Sequence, residues 1–235
     1  SSSFKKIVLE SFEDDDSPSE GFFCEKKFAN DFSSSEMVSK SYITGESELK
    51  TIYKDGKVFK TIATTPHTNN TTLYQYDGTR LKSIKTETIG FADSTVFTEE
   101  RDFNYDSSGL PVSMKRFKNG KQISLIQFKH DSKGNVIEET PLSGNSDQKY
   151  YYYYDEKNQL TDVVHFNPIA QKLLPDYMFL YNDQGQVSQM ISVDESGRNY
   201  TIWRYSYTPS GLSEIQKCYS KEKRLLGTIQ YEYSR

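Results

Sequence analysis

A repeated motif is the feature of this sequence that most restricts its fold. Each copy has an aromatic anchor, a short polar turn and an apolar run of period two, and the anchors lie 23 to 29 residues apart. The anchors are Tyr53, Tyr76, Tyr105, His130, Tyr154, Tyr181, Tyr207 and Tyr233. Phe28 stands 25 residues before the first anchor and is a candidate for a degenerate further copy. A period of this size is typical of arrays of one supersecondary unit, so the chain is predicted to be such an array.

Each copy is predicted to be a β-hairpin. The turns read Asp-Gly, Asp-Ser-Ser-Gly, Asp-Ser-Lys-Gly, Asn-Asp-Gln-Gly and Pro-Ser-Gly. Asp and Asn side chains cap the local backbone and Gly supplies positive φ. Asn158 stands in the Gly position of the Tyr154 copy, which is acceptable because Asn also visits the left-handed region. Eight or nine hairpins predict about 16 to 18 antiparallel strands of about 8 residues.

One face of these strands is predicted to be aromatic. Alternate residues of a strand share a face, and the residue two before the anchor is aromatic in most copies, as in Tyr74, Phe103, Phe128, Tyr152, Phe179, Tyr205 and Tyr231. The residues directly before the anchors are mostly polar, so the other face is expected to meet water. The anchor face, called the ladder face below, is expected to be the buried one.

The size and composition agree with a large all-β domain. The chain has 235 residues, with 18 Tyr and 14 Phe, and aromatic side chains suit a half-buried pleated surface. We therefore predict one domain over 21–235, a meander closed into a barrel or curled on itself, with 1–20 as a flexible N-terminal segment. Same-face charges such as Glu99 and Arg101 favour a soluble, porin-like barrel over one that spans lipid.

The motif Y-x-Y-D-x-x-G-x-L resembles the YD repeats of Rhs-type proteins. It is nearly intact at 103–110 (FNYDSSGL) and 205–212 (YSYTPSGL), and it departs from the pattern at Thr208 and His130. The chain is more loosely similar to uncharacterised porin-like secreted lipoproteins of gut anaerobes. The first resemblance implies a sheet that spirals into a shell and the second a large antiparallel barrel. Neither implies catalytic residues.

Several function classes receive no support from the sequence. The net charge is -4, which gives no basic field for a nucleic-acid partner. No nucleophile, phosphate-loop or dinucleotide motif occurs, so no catalytic residue, metal or cofactor is predicted. The two cysteines, Cys24 and Cys218, form no disulfide framework or metal motif.

Two groups of residues are candidates for binding. Trp203, Tyr205 and Tyr207 share one strand face and could stack on a sugar ring, with core packing as the alternative. Tyr151, Tyr153, Met178 and Leu180 make the otherwise polar face apolar, as at an interaction patch. The alternative for this patch is a cover formed by the N-terminal segment or by the loop at 167–177.

These features predict a non-enzymatic extracytoplasmic binding or scaffold module for a glycan, a peptide or a surface protein. The alternatives are an outer-membrane pore and a hydrolase whose carboxylates converge only in the fold. The Ser-rich start is what a bacterial lipoprotein retains after its signal peptide and lipidated Cys. A cell-surface or periplasmic location is therefore expected, with membrane attachment only through a lipid anchor before Ser1.

Overall fold

The chain forms an 18-stranded antiparallel β-sheet that closes into a barrel. The computed structural model describes residues 4–143, 148–167 and 171–235. Strands β2 to β9 and β10 to β18 each pair in chain order, β18 pairs with β2, and β9 pairs with β10. Strand β1 pairs with β2, β10 and β18. The predicted all-β meander and its strand number are confirmed.

The strands follow the predicted hairpins. The first nine are β1 (Lys6–Phe12), β2 (Phe23–Phe28), β3 (Ser34–Ser41), β4 (Gly45–Lys54), β5 (Lys57–Thr64), β6 (Thr68–Asp77), β7 (Arg80–Gly90), β8 (Val96–Tyr105) and β9 (Pro111–Lys118). The others are β10 (Lys121–His130), β11 (Val136–Ser143), β12 (Tyr150–Tyr154), β13 (Leu160–Asn167), β14 (Lys172–Tyr181), β15 (Val187–Val193), β16 (Tyr200–Tyr207), β17 (Ser213–Tyr219) and β18 (Leu225–Ser234).

The chain divides into two compact units. The first unit contains Ser19–Leu125, the described residues up to Glu10, and Tyr231–Arg235. The second contains Ser11–Pro18 and the described residues of Ile126–Gln230. Each unit is described by itself below.

The N-terminal segment differs from its prediction. A flexible segment over 1–20 is wrong for Lys6–Phe12, which forms β1 and pairs with β2 from Lys6 opposite Lys27 to Leu9 opposite Cys24. The physical reason is the alternation of KIVLESF, which places Ile7 and Leu9 on one face of a strand. The acidic run at 13–20 that follows this strand makes its short apolar alternation hard to recognise in the sequence.

Most hairpins of the second unit turn through five residues. In the Tyr181 copy, the amide of Asn182 donates to the carbonyl of Gln186, and the side-chain oxygen of Asn182 accepts from the amide of Gln186 at 2.9 Å. Thr208 makes the equivalent side-chain bond to Leu212 at 3.1 Å. The position therefore requires a short side chain with an acceptor oxygen, and Thr in place of Asp keeps the turn.

In these turns positive φ occurs at the predicted places and also at Lys223, which has φ +65°. Gly185 has φ +78° and Asn158 has φ +66°. The prediction that Asn158 takes the Gly role is confirmed, since Asn tolerates the left-handed region better than most residues.

Three turns within the first unit have only two residues, and one of them, Asn119 and Gly120, joins β9 to β10. Lys54 pairs with Lys57 around Asp55 and Gly56, whose φ values are +52° and +71°. Asp77 pairs with Arg80 in the next hairpin. Two positive φ values in a two-residue turn match the right-handed twist of the flanking strands.

Four anchor tyrosines join their hairpin to the one before it. The hydroxyl of Tyr105 donates to the carbonyl of Leu81 at 2.6 Å in the first unit. In the second unit Tyr154, Tyr181 and Tyr207 donate to Val136, Leu160 and Val187 at 2.9, 2.7 and 2.8 Å. The acceptor is always the first apolar residue after the preceding turn. We call this bond the tyrosine staple.

A second bond joins successive turns. Gln159 donates to the carbonyl of Gly185 at 3.1 Å, and Gln186 donates to that of Gly211 at 3.0 Å. In the first unit Lys57 donates to the carbonyl of Gly78. The donor is the residue just before the staple's acceptor, a position that the sequence repeat did not single out.

The ladder face is only partly buried. The buried apolar residues of the described chain are Cys24, Ile126, Val164 and Ile202, and no ladder aromatic is among them. Tyr152, Phe179 and Tyr205 are half-buried. The ladder face is therefore the less exposed of the two faces, as expected, but its rings are half-buried and keep part of their surface available to solvent.

Candidate functional site

Five aromatic side chains form a continuous strip on the ladder face of the second unit. Residues paired across antiparallel strands share a face, and the register places Tyr152 opposite Val163, Val163 opposite Tyr177, Phe179 opposite Met190, and Met190 opposite Trp203. The strip consists of Tyr152, Tyr177, Phe179, Trp203 and Tyr205. It extends from β12 to β16, four strand spacings or about 19 Å.

Contacts within the strip hold the rings in place while leaving them accessible. Tyr177 and Phe179 stack with their centroids 6.3 Å apart, and Tyr177 is 41% exposed. The hydroxyl of Tyr205 lies 3.9 Å from the sulfur of Met190. Trp203 lies between Met190 and Cys218 and is half-buried. Flat rings fixed at their edges are suited to stacking on another flat or cyclic group.

Two carboxylates lie beside the strip, Glu139 at its β12 end and Asp176 next to Tyr177 on β14. The hydroxyl of Tyr152 donates to Glu139 at 2.9 Å, and burial together with this carboxylate raises the pKa of Tyr152. Nδ1 of His165 lies 2.8 Å from a carboxylate oxygen of Asp176, without hydrogen-bond geometry. The His165 ring is 6.0 Å from the ring of Tyr150.

A bulge brings Asp176 to this position. Val163 pairs with Tyr177 and Val164 with Pro175, so Asp176 is the unpaired extra residue of β14. Bulges commonly redirect a side chain in this way. Among the described residues of β11–β17, the register puts one cation on the ladder face, Lys172 at the start of β14. The strip and its surroundings are therefore acidic.

The predicted ligand-binding trio is only partly free to bind. Trp203 and Tyr205 belong to the strip, whereas the hydroxyl of Tyr207 is engaged in its staple to Val187. The trio omitted Tyr152, Tyr177 and Phe179, which only the strand register brings into line with Trp203. It also omitted Glu139, His165 and Asp176. The period-two alternation could have indicated Glu139, but the bulge at Asp176 has no signal in the sequence.

The predicted interaction patch lies on the opposite face of the same strands. Tyr153 and Met178 both pair with Asp162, and Tyr151 pairs with Val164. Tyr153 is 48% and Leu180 59% exposed. Of the loop predicted as a cover, 168–170 lie outside the described residues.

The apolar surface on this face is larger than the four predicted residues. Phe166 and Leu173 pair directly on β13 and β14, and each is 45% exposed. Met178 pairs with Ile191, which pairs with Ile202. The next row of paired residues on this face begins at Leu180, which pairs with Gln189. Gln189 pairs with Arg204, which in turn pairs with Lys217.

A charged cluster borders the patch at Glu138. Lys129 and Lys149 each approach its carboxylate at 2.9 Å, and Thr140 donates to it at 2.6 Å. The Thr140 hydroxyl and the two ammonium groups lower the pKa of Glu138 to about 2. Lys149 also lies 4.9 Å from the ring centre of Tyr151. These contacts keep Lys149 beside Tyr151 at one side of the patch.

The remaining candidates form no reactive centre in the described part of the chain. Cys24 and Cys218 are free thiols, and burial raises the pKa of both. No group of three or more His, Cys, Asp and Glu side chains in 4–143, 148–167 and 171–235 could hold a metal ion. Within those same ranges no helix has the length and hydropathy needed to cross a membrane.

Comparisons with known proteins give similarities of architecture. No family model and no curated protein matches the chain. A porin-like protein from Bacteroides uniformis matches with a TM-score of 0.44 at 13% identity, over 98% of this chain and 96% of that one. A porin-like protein from Bacteroides vulgatus matches at 0.37 and 9%, over 99% of both chains.

A third match is a chain of the Photorhabdus luminescens Tc holotoxin pore. The TM-score is 0.34 at 10% identity, over 91% of this chain but only 16% of the toxin chain. At these scores and identities, the matches identify neither a family nor an activity for this protein.

Proposed function

We propose that the protein is a non-enzymatic extracytoplasmic binding module whose aromatic strip binds a glycan. The supporting observation is that Tyr152, Tyr177, Phe179, Trp203 and Tyr205 are aligned by the strand register and none of them is buried. A packed core would cover such rings, and aromatic faces with a few polar groups beside them are typical of carbohydrate sites.

The charge of the strip narrows the class of glycan. Glu139 and Asp176 lie beside it, and Lys172 is the one ladder-face cation on the described residues of β11–β17. An acidic sugar would meet like charge here, which costs binding energy. The strip is expected to prefer neutral or amino-bearing sugars.

The same carboxylates argue for binding rather than hydrolysis. Glycoside hydrolases place two carboxyl groups about 5 to 9.5 Å apart around one bond. Glu139 pairs with Tyr150, Tyr150 with His165, and His165 with Leu174 beside Asp176. Their backbones are therefore three strand spacings apart, about 14 Å. Glu139 also accepts a hydrogen bond from Tyr152, and Asp176 lies beside His165.

The opposite face of the first unit argues against a membrane-spanning role. Lys27 pairs with Glu36, Glu36 with Lys50, and Lys50 with Ile62. The ammonium of Lys50 lies 2.6 Å from the carboxylate of Glu36. A face meeting lipid needs an apolar band about 25 Å tall, and rows of charged pairs interrupt it.

The test is a binding screen read by Trp203, the single tryptophan of the chain. Neutral oligosaccharides, amino-sugar oligomers, peptidoglycan fragments and short peptides would be titrated while its fluorescence is recorded. A saturable change with a neutral or amino-bearing glycan supports the proposal. No change with any glycan, together with no heat in calorimetry, contradicts it.

Substitutions then test whether the ligand binds at the aromatic strip. Trp203→Ala and Tyr177→Ala should each weaken the binding about tenfold or more in calorimetry, as central aromatic contacts do. Tyr42→Ala is the matched control, since Tyr42 is 92% exposed in a turn of the first unit. Equal losses in all three variants would place the ligand elsewhere.

A further inference from the structure

Two short turns in the first unit leave a cavity between them. The turn after Tyr53 and the turn after Tyr76 have two residues each, whereas the turn of the next copy has five, from Asp106 to Leu110. A cavity of about 450 Å³ lies between the two hairpin ends, bordered by residues of β4–β5 and β6–β7.

The cavity is positively charged. Its charged lining consists of Lys54, Lys57, Lys82 and Asp55, three cations against one anion. Lys57 is fixed, because its ammonium donates to the carbonyl of Gly78 and lies 5.2 Å from the ring centre of Tyr76. Lys54 and Lys82 are exposed. A lining with excess positive charge attracts an anion.

The cavity also offers aromatic surface. Phe59, Tyr74 and Tyr76 line it. Ile52 pairs with Lys60 and Tyr53 with Val58, so Phe59 is the unpaired residue of a bulge and is 43% exposed. The Lys54 ammonium lies 6.0 Å from the centre of this ring, and a simple inorganic anion would make no use of the part of the ring that remains exposed. A ligand that combines a negative charge with a cyclic body would use both features.

We propose that this cavity binds a carboxylated sugar, a uronic-acid residue within an oligosaccharide. The ammonium groups of Lys54 and Lys82 receive the carboxylate as charge-assisted hydrogen-bond donors. The exposed part of Phe59 contacts a face of the sugar ring. The site lies in the first unit and is independent of the aromatic strip, whose acidic surroundings disfavour the same ligand.

The experiment is calorimetric titration of the full chain with three probes. These are a defined oligogalacturonate, a neutral galactose oligomer of the same length, and inorganic sulfate. The oligogalacturonate should bind with an affinity that falls as salt is raised. The neutral oligomer and sulfate should bind at least about tenfold more weakly, because each satisfies only one half of the lining. Equal affinity for the neutral oligomer, or no binding of oligogalacturonate, would overturn the proposal.

Variants separate this site from any other cationic surface. The double variant Lys54→Gln, Lys82→Gln should lose about tenfold or more in oligogalacturonate affinity, and Phe59→Ala should also weaken it. The matched control is Lys133→Gln, Lys157→Gln, two exposed turn lysines of the second unit. An equal loss in the control pair overturns the proposal.

The test is separate from that of the proposed glycan function. Trp203→Ala should leave oligogalacturonate binding unchanged, and Lys54→Gln, Lys82→Gln should leave binding at the strip unchanged. Lys57 is kept in every variant, since it also holds the adjacent turn. Loss of oligogalacturonate binding in Trp203→Ala would contradict the assignment to the cavity.

Discussion

The two units share one backbone plan but line their ladder faces with different chemistry. In the first unit, hydroxyl groups pair across strands, as in Ser39 with Ser47 at 2.8 Å and Thr72 with Thr86 at 3.0 Å. Cations join them, and Lys118 lies 4.7 Å from the ring centre of Phe97. In the second unit the corresponding positions hold the aromatic strip and carboxylates.

This difference shows what the repeat does and does not determine. Tyr105 in the first unit and Tyr181 in the second make the same staple to a main-chain carbonyl, at 2.6 and 2.7 Å. The staple fixes neighbouring hairpins, while residues farther along the strands remain free to vary. Each unit could therefore acquire its own binding chemistry without a change of fold.

The largest expected effect comes from removing a whole anchor ring in each unit. Tyr181→Ala and Tyr105→Ala should each lower the free energy of unfolding by about 3 kcal/mol, because ring packing and the staple are both lost. Equilibrium urea titration of the two variants measures this. A loss under about 0.5 kcal/mol in either variant would show that the anchors of the two units are not equivalent.

A methyl group on the turn glycine should distinguish the units. In Gly109→Ala the new Cβ would lie 2.6 Å from the Arg80 guanidinium, at φ +87°. Arg80 would have to leave the Tyr105 ring, and we expect a cost of about 2 kcal/mol. Gly211→Ala has φ +82° but a nearest contact of 3.4 Å to Gln186. It should cost about 1 kcal/mol from backbone strain alone. Thermal unfolding of both variants measures which substitution costs more stability. A larger loss in Gly211→Ala than in Gly109→Ala would contradict this account.

Removing only the hydroxyl isolates the staple itself. Tyr105→Phe and Tyr181→Phe should each cost about 1 kcal/mol, the net value of a typical hydrogen bond. Tyr42→Phe, at a position 92% exposed, serves as the control and should change the free energy of unfolding by less than about 0.5 kcal/mol. Unequal losses at Tyr105 and Tyr181 would mean that the staple contributes differently in the two units.

The smallest expected difference between the units is in the stability that each loses at low pH. It arises from one carboxylate in each unit that two lysines contact. Hydrogen bonds from Lys27 and Lys6 lower the pKa of Glu25 in the first unit. Thr140, Lys149 and Lys129 lower that of Glu138 in the second unit from 4.5 to about 2. A lowered pKa stabilises the fold above the ordinary value, and this contribution is lost as the pH falls through the lowered one.

Stability measured against pH in Glu25→Gln and Glu138→Gln tests this. Each variant should lose less stability than the wild type as the pH falls below about 4.5. The difference should persist to about pH 2 for Glu138. Glu156→Gln, in an exposed turn, is the control. If the wild type and both variants lost stability equally as the pH is lowered, these ion pairs would be shown to be screened by solvent.

The fold could be predicted from the sequence because its signals are local. The spacing of the anchors, the turn glycines and the period-two alternation each report on neighbouring residues, and they gave the hairpins and their number. The burial of the ladder face could not be predicted in this way. It depends on what lies across from each strand, which no single repeat encodes.

The candidate sites needed the register between strands. Trp203 and Tyr205 stand out as aromatic residues on one strand, but Tyr177 joins them only through one intervening strand, β15. Asp176 lies beside His165 because of a bulge, and the cavity at Lys54 and Lys82 is lined by residues of two different hairpins. These are properties of paired strands rather than of residue types.

The tyrosine staple ends on a carbonyl oxygen, which every amino acid supplies. Where the staple is present, neighbouring hairpins are therefore joined through the main chain, and the acceptor survives any substitution of its own side chain. Each of these four anchors bonds to the hairpin that was synthesised before it. A nascent chain could thus secure each hairpin as it emerges, in the order of synthesis.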